Sequence, residues 1–96
     1  MATFISLVNF TDQGIRNVKE SPNRAEAFKG LATKLGLTVK SMYWTSGSYD
    51  LVLVTEGTDQ AAMATLLSVG SLGNVRSQTL LAYSADEIKK IIALMP

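Results

Sequence analysis

Two stretches of this sequence are apolar on both sides of an extended chain. In Thr3–Phe10, TFISLVNF, side-chain alternation puts Phe4, Val8 and Phe10 on one face and Ile5 and Leu7 on the other. In Leu51–Val54, Leu51 and Leu53 point one way and Val52 and Val54 the other. A half-buried strand alternates apolar with polar residues, whereas strands of this kind are covered on both faces. The fold must therefore layer something on each side of its sheet, or leave one apolar face for another molecule.

The intervening segments supply the helices. Thr11 is placed to cap a short helical turn over Asp12 to Lys19, and Ser21-Pro22 reads as an N-cap followed by proline at the first helical position. Beyond it, Ala25, Phe28, Leu31, Ala32 and Leu35 form one apolar stripe, with Gly36 as a left-handed stop. Leu37–Thr45 and Tyr49–Glu56 read as strands joined through Ser46-Gly47-Ser48 as a hairpin. Gly57-Thr58-Asp59 ends that hairpin and caps a helix reaching Val69, with Ala62, Leu66 and Val69 inward. A fourth strand, Asn74–Tyr83, leads into Ser84-Ala85-Asp86-Glu87, a capping-box spacing that opens a last helix striped by Ile88, Ile91, Ile92 and Met95.

This order predicts an α+β chain, βαββαβ with a C-terminal helix, the ferredoxin-like pattern. Right-handed crossovers put both long helices on one face of a four-stranded antiparallel sheet and leave the other face bare. A bare apolar sheet face is unusual on a soluble monomer. The expected cover is the same face of a second copy, giving a dimeric α/β barrel. The competing cover is the final helix, but at about 16 Å long it would shield only part of a sheet.

Composition narrows the chemistry. The chain has 96 residues, which fits one domain over 1–96, and its nine Lys plus Arg against eight Asp plus Glu leave a net charge of +1. It has no His and no Cys, which removes thiol nucleophiles, histidine-based triads, the usual transition-metal ligand sets and ordinary haem ligation; no metal site or cofactor is expected. Basic residues interleave with acids along the chain, a solvated surface and not a phosphate-tracking stripe, so no nucleic-acid partner is expected. The first apolar run is broken by Ser6 and Asn9 and lacks the flanks of a signal peptide, and no apolar run approaches the length of a membrane span. A cytoplasmic protein without membrane association is the expectation.

Six residues are candidates for ligand binding. Tyr49 and Asp50, just past the hairpin turn, could present a phenol and a carboxylate at a barrel mouth; alternatively Gly47 supplies a positive φ and Asp50 closes the turn on backbone N–H groups. Arg76, on alternating positions with Asn74 and Gln78, could clamp a carboxylate or phosphate while Asn74 fixes its orientation. It could equally pair with Asp50 or Glu56. Tyr43 and Trp44 fall on opposite faces, one for the core or an interface and the other for a pocket wall. Gly70-Ser71-Leu72-Gly73 runs from helix to strand, opposite to a phosphate-binding loop.

Tyr43–Asp50 and Gly73–Leu80 together resemble the GYD domain family, whose Gly, Tyr and Asp cluster is matched by Gly47, Tyr49 and Asp50. Thr11–Arg16 and Arg24-Ala25-Glu26 are similar to the family's opening, so the resemblance spans nearly the whole chain. Two departures are Gly57-Thr58-Asp59, where relatives tend to have a proline before the aspartate, and Ser77, where threonine is usual. The resemblance implies a ferredoxin-like domain associating as a dimeric α/β barrel and implies no reaction. Three functions are consistent with these features. One is a homodimeric module that binds or senses a small anionic or aromatic molecule through Tyr43, Trp44, Tyr49, Asp50, Asn74 and Arg76. The others are a cofactor-independent enzyme on such a substrate and a purely structural oligomerisation domain.

Overall fold

A computed structural model describes residues 1–96. The elements are β1 (Ala2–Phe10), α1 (Asp12–Arg16), a 3-10 turn (Val18–Glu20), α2 (Ser21–Lys34), β2 (Thr38–Trp44), β3 (Leu51–Gly57), α3 (Asp59–Gly70), β4 (Val75–Ala82) and α4 (Ala85–Ile92). The four strands form one antiparallel sheet in the order β2-β3-β1-β4. This is the βαββαβ ferredoxin-like arrangement with an added C-terminal helix.

The register fixes which side chains share a face. Phe4, Ser6 and Val8 of β1 lie opposite Thr55, Leu53 and Leu51 of β3, and all six are buried beneath the helices. Ile5 and Leu7 lie opposite Val54 and Val52 on the other side. Two core clusters result. Phe4, Ala32, Leu37 and Ala62 join α2 and α3 to one end of the sheet, while Val8, Leu51 and Leu53 pack with Phe10, Phe28, Met42 and Val75 toward the other.

Local structure departs from the sequence expectation in specific places. The turn after β1 is split into α1, capped by the Thr11 hydroxyl accepting from Gly14 N at 3.1 Å, and a separate 3-10 turn. That turn runs directly into α2, so Ser21 is the first helical residue and not its cap. Its hydroxyl is instead taken by Trp44, whose Nε1 donates to Ser21 Oγ at 3.0 Å. In α3 the most buried side chain is Thr65, its hydroxyl satisfied by donation to Ala61 O at 2.8 Å. On α2, Leu35 is exposed at the end of the stripe.

The final helix does not fold beneath the sheet. Its capping box forms as expected, Ser84 Oγ accepting from Glu87 N at 3.1 Å and Glu87 Oε1 accepting from Ser84 N at 2.9 Å. Yet α4 packs extensively on no other element, and Ile88, Ile91, Ile92 and Met95 are exposed. The chain is accordingly elongated, with extents of 51 × 31 × 19 Å.

Candidate functional site

The sheet face opposite the helices is uncovered by its own chain. Its two central strands are apolar, with Ile5 and Leu7 from β1 and Val52 and Val54 from β3, and the edge strands add Leu80 of β4 beside Ile5 and Tyr43 of β2 beside Val52. Tyr43 is 66% exposed and Leu80 43%, large for side chains on an apolar sheet. One corner carries an ion pair, Lys40 Nζ to Glu56 Oε1 at 3.4 Å, reached through a β-bulge between Val39 and Ser41.

At the far edge of the same face, Asn9 lies opposite Arg76 and Leu7 opposite Gln78. Tyr49 comes in from the hairpin, and these residues with Ser77 line a recess of about 250 Å³. Arg76 forms no ion pair with either Asp50 or Glu56: Glu56 is engaged by Lys40, and Asp50 Oδ2 accepts from Phe10 N at 2.9 Å. Asp50 also donates its own N–H to Val8 O at 2.8 Å and accepts at its carbonyl from Thr45 N at 2.8 Å. It therefore ties the hairpin to β1 through both its side chain and its backbone. Gly47 holds φ +117° in that hairpin, a conformation that favours glycine.

Of the six sequence candidates, Tyr49 and Arg76 come together in the recess, and Tyr43 shares their face on β2, the opposite edge strand. Asp50 does not line the recess; it holds the hairpin to β1. Trp44 points to the helix side, against Ser21. Asn74 immediately precedes β4 and its Oδ1 accepts from Gln13 Nε2 at 2.9 Å, and it joins Arg76 in lining the space between the helices and the sheet. The Asn74 carbonyl accepts from Thr11 N at 3.0 Å, and Gly14 approaches so closely that a Cβ there would overlap that oxygen. Here α1 is stapled to the 72–74 loop.

On the helix side, α2 and α3 meet near Ala32 and Ala62 and enclose a second space toward the other end of the sheet. This cavity, about 580 Å³, has Val8, Leu51 and Leu53 in its floor, Phe28 and Leu31 of α2 and Leu66 and Val69 of α3 in its walls, and Arg24 and Asn74 among its polar lining. The sequence offered no signal for it, because it depends on how far two helices part. No group of three or more His, Cys, Asp or Glu side chains is gathered anywhere in the chain to hold a metal ion. No helix is long and apolar enough to cross a membrane.

Comparison with known proteins places this geometry. A crystal structure of TTHA0845 from Thermus thermophilus superposes with a TM-score of 0.51 at 27% identity, covering 88% of this chain and 96% of that one. The crystal structure of FFRP-DM1 shares the fold, with a TM-score of 0.53 at 20% identity over 86% of this chain and 100% of the other. The "Glutamine synthetase and cystathionine beta-lyase binding protein" of Thermus thermophilus is 37% identical over 90 residues, 92% of this chain and 95% of that protein. Residues 4–92 match the GYD domain, and with this relative they show that the chain belongs to the GYD domain family.

Proposed function

We propose that this chain is a binding module built as a homodimer, in which two open sheet faces close on each other as a barrel and the recess at Tyr49 and Arg76 holds a small anionic or aromatic ligand. The observation that carries the reading is the open face itself, apolar at its centre and polar only at its margins. A four-stranded sheet of this length has an outline of roughly 400 Å², at about 4.8 Å between strands and 3.3 Å per residue. A second copy presents the same outline and the same chemistry, so the two are self-complementary about a two-fold axis. Arg76 is free of carboxylate partners within its own chain, and a planar guanidinium at the edge of an apolar interface suits a bidentate anion.

The name of the Thermus relative favours a second reading, that the module's ligand is another protein. In that case Arg76 and Tyr49 are contacts for an acidic or aromatic side chain of a client. Native mass spectrometry of gently purified protein tests both. Reproducible extra mass on a dimer, lost in Arg76→Ala while the dimer persists, supports the small-ligand reading. Co-purification of a client protein whose affinity drops about tenfold in Arg76→Ala supports the second. A dimer that carries nothing small and gains no partner at micromolar concentration of cell proteins contradicts both.

A further inference from the structure

The geometry points to the cavity between α2, α3 and the sheet as a separate ligand site, for a molecule with an apolar body and a single carboxylate head seated on Arg24. Its volume, about 580 Å³, falls within the roughly 300–1,000 Å³ of small-molecule pockets. The space arises from residue choice at inward positions. Ser6 and Ser77 stand on the helix-facing side of β1 and β4, where neighbouring positions carry Phe4 and Val8, and Ala25 stands on the facing side of α2. Small side chains on both walls, at the end where the helices part, leave room that larger ones would fill.

The sign of the head follows from the charges present. The lining contains Arg24 and Arg76 and no aspartate or glutamate. Arg24 is also fixed in place: Nη1 donates to Asn17 O at 2.8 Å and Nη2 to Gly14 O at 3.3 Å, both carbonyls on α1 or its C-terminal cap. A guanidinium has five N–H donors, so three are left without a protein partner, and no carboxylate lies within ion-pair distance. A held, half-buried, unpaired cation at an apolar cavity is suited to a carboxylate and unsuited to an ammonium. The rim is equally fixed, since α1 is bonded to the 72–74 loop through Thr11 and Gln13. The cavity opens on the helix side of the sheet and meets the recess of the open face only at the β4 edge, where Arg76 and Ser77 line both.

Decanoate and 1-decanol, which share a nine-carbon alkyl tail and differ in head group, test this by methyl NMR titration of the full chain. The expected result is saturable shifts at Leu53, Leu66 and Val69 with both, decanoate binding at least about tenfold tighter, the size of a charge-assisted hydrogen bond. Arg24→Gln should remove that preference and Arg24→Lys restore part of it, with decanol affinity unchanged within about twofold. Leu66→Trp, which fills the cavity from α3, should abolish both, whereas Val54→Glu, on the open face and lining neither space, should alter neither. Equal affinity for the two probes, or a preference that survives Arg24→Gln, would overturn the head-group assignment. Shifts confined to Ile5, Leu7 and Val52, or none with either probe, would overturn the site.

Discussion

At the scale of single residues, the structure turns on a few positions where backbone meets backbone. Gly14 is the sharpest: the Asn74 carbonyl occupies the place of its missing Cβ. Gly14→Ala must push α1 off the 72–74 loop, and we expect a loss of about 1–3 kcal/mol, the usual cost of overpacking, in chemical denaturation. An unchanged midpoint would mean that α1 is not held as described. Asp50 illustrates what sequence could and could not say. Local turn chemistry suggested that Asp50 accepts backbone N–H groups closing its own turn, and a backbone N–H is what its carboxylate accepts. That the donor is Phe10, forty positions away on β1, depends on strand pairing and was not legible. The start of β4 was read one residue early, at Asn74, for a related reason. A strand's first residue is set by what its neighbours bond, and here Gln13 and Thr11 take Asn74 before β4 begins.

At the scale of elements, the strands and their faces were legible because a period of two survives any tertiary context that buries one side. The helix starts were legible where a cap has a local partner, at Thr11, Thr58 and Ser84. The start of α2 was legible to within one residue from Pro22, but its cap was not, because Trp44 from a distant strand claims the Ser21 hydroxyl. The capping box of α4 has a consequence for pH. Glu87 titrates below its ordinary value of 4.5, chiefly because its carboxylate accepts the Ser84 backbone N–H, then because of the Ser84 hydroxyl. A depressed carboxylate stabilises the folded form fully above the unfolded pKa and loses that contribution as pH falls through the folded one. The helicity of α4, read from carbon chemical shifts, should therefore hold steady down to about pH 4.5 and decline below it, and Glu87→Gln should flatten the decline. A decline beginning near neutrality would exclude this origin.

At the scale of the whole molecule, the protein is a thin, elongated chain with little interior. Only 14 of its 96 residues are buried, so a large share of its apolar side chains awaits cover. A specific interface buries about 800 Å² per partner, more than the roughly 400 Å² outline of the open face. The unpacked stripe of α4, with Ile88, Ile91 and Ile92 exposed, would extend the contact if it packed on a second copy. That a face would be left bare was legible from the two-faced strands. The inter-helix cavity was not, since the distance between α2 and α3 is a property of packing and leaves no period in the sequence.

Sedimentation equilibrium of the intact chain and of Leu7→Glu asks whether a second copy closes the open face. Leu7 lies at the centre of the open face, opposite Val52 on one side and Gln78 on the other, away from both core clusters. Placing a carboxylate there should cost little in the isolated chain and much in an apolar interface. The parent protein should sediment at twice the 10.3 kDa chain mass and the variant as a folded species of single mass. A parent that sediments as a monomer at tens of micromolar, or a variant that dimerises as well as the parent, would contradict closure by a second copy.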